Sequence, residues 1–322
     1  MKPAGIMALP LVIAALSTPS VLAARYPEKP IRLVVPFPPG GSVDVNARLL
    51  APKVAQSLGQ QIVIDNRAGA SGIIGTAVVA RADADGYTLL INTTPLVTNT
   101  LMYGKVPYNV LTDFAPVSLL TSTPSFLGVH PSVPAHSVRE LLQLAKSRPG
   151  ALNYGSAGVG TNPHIAGELF NHLAGTDILA VQFKGGGPAL VAALSGEVSV
   201  SFSAVAGAVG HVQSGRLRAL GVTSLKPVTA LPGVPPIAEA GLPGYEFSAW
   251  FALAAPRGTP PEIIATINDH FKKAMGSPDL VQRFGQEGLE VIGSGPAELA
   301  ALLDSELKKW ARVIRERGMR AE

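Results

Sequence analysis

Short apolar runs alternate with amphipathic runs along this chain, and they do so in two blocks. In the first block residues 31–35, 61–65 and 87–91 read as strands, with helices at 43–57 and 73–81. In the second, residues 152–154, 178–182, 198–203 and 217–223 read as strands between helices at 138–146, 163–173, 188–194 and 206–213. Strands separated by helices pair in parallel, because each helix carries the chain back across the sheet. The expected class is therefore α/β. Two apolar stretches, 117–129 and 247–255, connect the blocks and are expected to be the crossings between two lobes. The first lobe would hold residues 24–121 and 251–322, the second 122–250. The segment 92–100 reads as a polar loop, and helices at 262–275 and 296–317 close the chain.

The strand at 31–35 stops at Pro36-Phe37-Pro38-Pro39-Gly40-Gly41, and a helix opens with Ser42 or Asp44 available as its N-cap. The first amides of a helix have no partner within it and carry the positive end of the helix dipole, so such a corner suits an anion. It equally suits an ordinary strand–turn–helix connection. A second corner of the same make follows the strand at 152–154: Gly155-Ser156-Ala157-Gly158-Val159-Gly160-Thr161, then a helix with Pro163 in its first turn. Ligands of open α/β sheets sit outside the carboxyl ends of strands, where both corners fall. Backbone amides there can hold a carboxylate without an arginine.

Among side chains in these corners, Ser42, Ser156 and Thr161 are candidate hydroxyl donors beside the backbone of Gly40, Gly41, Ala157, Gly158 and Gly160. Asp44 reads first as a brace of its loop and second as a ligand contact, because a bare carboxylate repels an anion. Phe37 suits either the ligand's carbon skeleton or the core. His164, one turn into its helix, faces the cleft or serves the structure. Lys184 precedes Gly185-Gly186-Gly187 at a third helix start; Ser203 ends a strand at the cleft floor; Thr93, with Thr94, follows the strand at 87–91.

Composition narrows the classes. The 322 residues are 47% hydrophobic and 15% charged, which supports a large core rather than disorder. The net charge of +4 is spread out, apart from a C-terminal stretch on an expected helix, so nucleic acid is not an expected partner. The absence of cysteine removes disulfides, thiolate metal sites and cysteine nucleophiles. The dispersed histidines form no His-x-x-x-His pair, so no metal and no cofactor is expected. The glycine loops lack the Gly-Lys-Ser/Thr ending of a P-loop and the third glycine of a dinucleotide fingerprint, and no Gly-x-Ser-x-Gly elbow occurs. A Ser-His-acid triad assembled from distant residues is left open by sequence, so an exported hydrolase or isomerase stands as the alternative class. At the N-terminus Lys2 precedes an apolar run at 6–16, too short to span a bilayer, and Val21-Leu22-Ala23 offers a small-residue cleavage site. Residues 1–23 read as a signal peptide, and export to the periplasm is the expectation.

The chain resembles the substrate-binding proteins of tripartite tricarboxylate transporters, the Bug family. The resemblance rests on Tyr26-Pro27-Glu28-Lys29-Pro30-Ile31-Arg32, the Pro36–Gly41 run, Asp44 with Ala47-Arg48, Asn66-Arg67-Ala68-Gly69-Ala70 and Asp85-Gly86-Tyr87-Thr88-Leu89-Leu90. Further along it rests on the Gly155–Thr161 run, Lys184-Gly185-Gly186-Gly187-Pro188-Ala189 and Ala255-Pro256-Arg257-Gly258-Thr259-Pro260. It implies a two-lobed, type II periplasmic-binding-protein fold of the Venus-flytrap kind, hinged at two crossings. It also implies a small carboxylate ligand (a di- or tricarboxylate, an amino acid or an aromatic acid) and a partner of one large and one small integral-membrane transporter subunit. On this reading the protein is a monomeric receptor, for uptake or for sensing, and not an enzyme.

Overall fold

The computed structural model describes residues 26–286 and 288–319; the expected signal segment lies outside them. β1 (Ile31–Val35) is flanked in parallel by β2 (Ile62–Asn66) and β3 (Thr88–Asn92). β1 and β3 lie inside the sheet and are apolar at most positions, whereas β2 at the edge leaves Val63 exposed and ends in Asp65 and Asn66. Alternate residues serve opposite faces. Leu33 and Val35 meet Val43, Leu50 and Val54 of α1 (Ser42–Leu58), whereas Val34 joins the core that holds Ala77 and Val79 of α2 (Ile73–Ala80).

After β3 the structure has a helix, α3 (Pro95–Met102), where the sequence reading expects a polar loop. Pro95 suits the first helical turn. The polar side chains misled because they point inward: Thr98 and Asn99 are fully buried and bonded within the fold.

The centre of the sheet is the long strand β4 (Phe114–Val129). Residues 114–124 pair antiparallel with β9 (Ser248–Pro256), residues 125–129 pair antiparallel with β7 (Val200–Ala204), and residues 126–129 also pair antiparallel with β8 (Arg218–Val222). β9 also pairs antiparallel with β3. Beyond β7 lie β5 (Asn153–Ser156) and β6 (Leu179–Gln182), all three parallel. The order is β2-β1-β3-β9-β4-β7-β5-β6, with β8 and the short β10 (Glu290–Val291) also on β4. The expected parallel pairing therefore holds on both flanks and fails in the middle. The two crossings run in opposite directions and pair with each other, which makes the centre antiparallel.

The remaining helices are α4 (Val138–Ser147), α5 (Asn162–Ala174), α6 (Gly186–Ser195), α7 (Val205–Gln213), α8 (Ile237–Ala240), α9 (Pro261–Met275), α10 (Pro278–Gln286) and α11 (Pro296–Arg317). On one face of the sheet a single core runs from end to end, from Val34, Leu90 and Leu96 through Leu127, Phe170 and Phe202, with Trp310 of α11 packed on it. On the other face the core is divided. One part, with Phe251, Ile267 and Phe271, lies under α1 and α9; the other, with Phe126, Ala193 and Val205, lies under α6 and α7. Among the described residues no helix is long and apolar enough to cross a membrane.

Candidate ligand site

The 36–44 corner is built around Asp44. Gly40 adopts φ 82°, which only glycine takes without strain, and its amide donates to Asp44 Oδ2 at 2.9 Å. The same oxygen accepts from Arg48 Nε at 2.8 Å, and Oδ1 accepts from Asn66 Nδ2 at 2.9 Å. Asn66 Nδ2 also donates to the Phe37 carbonyl at 3.1 Å. Burial works to raise the Asp44 pKa, but the donors from Arg48, Gly40 and Asn66 outweigh it and hold the carboxyl below its usual range. Asp44 is thus a brace of the loop. Gly41 is the N-cap of α1 and brings no side-chain cap; the first helical bond is Val45 N–H to Gly41 O at 2.9 Å. Helix geometry then leaves the amides of Ser42, Val43 and Asp44 without intrahelical partners. Ser42 is exposed, and the Phe37 ring packs on the next turn, 3.0 Å from where a Cβ on Gly72 would sit.

The second corner holds itself by its own side chains. Ser156 Oγ and Thr161 Oγ1 both donate to the Gly158 carbonyl, at 3.0 and 2.6 Å. Gly158 and Gly160 take φ 123° and 77°. The Gly160 amide donates to His164 Nδ1 at 3.3 Å, and burial lowers the pKa of that ring against the opposing pull of Glu168. A neutral His164 able to accept fits a structural post for the loop. Thr161 caps α5 through its backbone only, so the amides of Asn162 and His164 are left free of helical partners, Pro163 having none. Ala157 is half-buried between these anchors.

The fold brings the two corners to one seam. Thr98 Oγ1 donates to the Gly160 carbonyl at 2.8 Å, and Asn162 Nδ2 donates to Thr93 Oγ1 at 3.2 Å. Pro38 Cγ stands 4.0 Å from the Cβ position of Gly185, with the exposed Lys184 beside it. Ser203 instead bonds along its own strand, to Ser201 Oγ at 2.6 Å. The sequence reading missed the turn at Ala70–Gly72, which lies between the corners. Ser71 Oγ is 3.1 Å from the Cβ position of Gly158, and Asn99 and Tyr103 of the β3–α3 region both bond to Ser71. No residue pattern announces left-handed backbone at an Ala-Ser pair. The seam also holds buried oxygens without partners: Thr94 Oγ1 and Asn162 Oδ1. Among the described residues no three His, Asp or Glu side chains gather to hold a metal. An open depression of about 420 Å³ between α9 and the start of α11, lined by Thr259, Ile264, Asn268 and Pro296, shares no residue with the seam.

Comparison with known proteins bears on the family and the fold. Residues 46–319 match the model of the tripartite tricarboxylate transporter family receptor. Protein BugT of Bordetella pertussis is 40% identical over 300 residues, covering 92% of this chain and 92% of its own. The structure of Rpa4515 from R. palustris with adipate has TM-score 0.87 and 37% identity over 92% of this chain and 99% of that one. MatC from Rhodopseudomonas palustris, with bound malate, has TM-score 0.84 and 33% identity over 90% of this chain and 100% of that one.

Proposed function

The chain belongs to the tripartite tricarboxylate transporter receptor family, whose members are periplasmic binding receptors and not enzymes, and from that premise we propose how this protein holds a small carboxylate. The carboxylate is taken between the free amides at the start of α1, from Ser42 to Asp44, and those of Asn162 and His164 at the start of α5. Phe37, Gly40, Gly41, Ser42, Thr93, Ala157, Gly158 and Gly160 surround it, with Asp44 bracing the first loop, Ser156, Thr161 and His164 bracing the second, and Ser203 bonded along its own strand. The carrying observation is that two helix starts, neither capped by a side chain, lie outside the carboxyl ends of strands and both adjoin the 70–72 turn, through the Phe37 ring at Gly72 and Ser71 Oγ at Gly158.

The mechanism is selection of a closed form. Residues 24–121 with 251–322 form one lobe and 122–250 the other, with β4 and β9 as the hinge. A ligand that touches both lobes favours closure by its differential affinity for that state. The closed receptor, a monomer delivered after removal of residues 1–23, presents its ligand to the large and small membrane subunits.

The test is calorimetry on the parent and on Gly41→Val. Gly41 sits at φ −76°, and a Cβ there meets nothing closer than the Pro38 carbonyl at 3.5 Å, so valine fits the fold. Its bulk stands where a ligand must approach the amides. Retained thermal unfolding with at least tenfold weaker carboxylate binding is the expected result. Equal affinity in a folded Gly41→Val protein would reduce this loop to a connection.

A further inference from the structure

Ala70 and Ser71 are, among the described residues, the non-glycine positions with left-handed backbone, at φ 46° and 52°. Residues with a Cβ hold this conformation only where neighbours impose it. Here the fully buried Asn99 donates Nδ2 to the Ser71 carbonyl at 3.0 Å, and Gly72 N–H closes on the Gly69 carbonyl at 3.0 Å. The strained turn aims the half-buried Ser71 hydroxyl at the second corner, where Gly158 leaves room for it: a side chain at 158 would begin 3.1 Å from Ser71 Oγ. Tyr103 donates its hydroxyl proton to Ser71 Oγ at 3.2 Å. A serine that accepts in this way still has its own proton to give, and the chain of two hydroxyls polarises that proton outward. Nearby, Asn162 Oδ1 and Thr94 Oγ1 are buried without partners, so the seam has hydrogen-bonding capacity that the protein alone does not use.

From this geometry we infer that Ser71, oriented by Tyr103 and Asn99, is a specificity-determining residue that donates to a second polar group of the ligand, a carboxylate or hydroxyl beyond the carboxylate held at the helix starts. The inference rests on the carboxylate reading above and adds the preference within it. Uncharged donors of this kind discriminate by the cost of leaving a polar group unpaired, so the analogue lacking the second group is the one rejected.

The experiment is calorimetry with matched probes: adipate against hexanoate, succinate and malate against butyrate. The proteins are the parent, Ser71→Ala, Ser71→Gly and Tyr103→Phe, each checked by thermal unfolding. Alanine keeps the backbone conformation that Ala70 already has next door, and glycine relieves it, so both should fold. The parent should favour the ligand with two polar groups by tenfold or more. Both Ser71 variants should erase about tenfold of that preference while leaving the monocarboxylate affinity unchanged, and Tyr103→Phe should erase a few-fold. Equal weakening of both members of a pair would make Ser71 a structural residue and overturn the inference. So would an unchanged preference, or a parent with none. A parent that binds no probe at all would overturn the carboxylate reading itself, a result distinct from carboxylate binding that Ser71→Ala leaves untouched.

Discussion

Asp44 spends both carboxylate oxygens inside its own loop, on Gly40, Arg48 and Asn66. Its contribution is therefore to the shape of the amide-lined corner. Replacement by alanine should cost about 1.5–3 kcal/mol in urea unfolding, because charge-assisted bonds are lost from a buried acceptor. The sign with pH follows from the lowered pKa. The stabilisation is fully present above the unfolded carboxyl's range and is lost as the pH falls through the folded, depressed value. The gap between parent and Asp44→Ala should accordingly be wide near neutrality and close in acid. A gap that stays constant down to strongly acid pH would mean that the charge contributes nothing. Ligand affinity should fall as well, since Gly40 loses the acceptor that fixes its turn.

At the scale of elements, α11 ties the molecule together. Its N-terminal approach is held by Ser294, which bonds to Ser118 and Leu119, and by Asn268, which donates to the Ser294 carbonyl. At its middle, Glu306 Oε2 accepts from the indoles of Trp250 on β9 and Trp310 on α11 itself, at 3.0 and 2.8 Å. Near its end Glu316 meets His172 of α5 at 3.2 Å. Glu306→Ala strands two buried indole N–H groups and should cost roughly 2–5 kcal/mol, with Glu306→Gln recovering part because its amide oxygen still accepts. Urea unfolding followed by tryptophan fluorescence reads both, since the chain has two tryptophans and both touch this carboxylate. Equal stability of parent and Glu306→Ala would show that the indoles find other partners. This helix was legible in sequence to the residue, 296–317, because a proline start and an apolar stripe mark it. α3 was not, because threonine and asparagine there serve buried bonds that only the tertiary fold reveals. The short α10 and the two-residue β10 carry too little pattern to stand out. The strand–turn–helix corners at 36–44 and 155–163 were legible from their glycines and strand ends. The placement of Ser71 was not, since it depends on backbone angles and on Asn99 and Tyr103, remote in sequence.

At the scale of the whole molecule, the proposed lobe motion rests on the divided core. On the face of α3, α5 and α11 one apolar core is continuous across the sheet, so separation there would expose it at about 25 cal/mol per Å². On the face of α1 and α6 the cores are separate, and Pro38 comes within contact range of Gly185 at the mouth, which is shut in this structure. Closure is therefore expected to pivot on the continuous face and to bring the 36–44 loop and the start of α6 together at the mouth. The chain has no cysteine, so pairs can be introduced without background. Pro39→Cys with Gly186→Cys places a pair at the mouth, both positions being exposed. His172→Cys with Glu316→Cys places one on the spine, where the native side chains already touch. Cross-linking by a short bis-maleimide should be accelerated several-fold by saturating carboxylate at the mouth and be indifferent to it on the spine. Small-angle scattering should show a modest fall in radius of gyration over the same titration. Ligand-dependent rates at both pairs would place the pivot elsewhere. Ligand-independent rates at both, with binding confirmed by calorimetry, would mean a receptor whose seam is fixed and whose ligand enters without lobe motion.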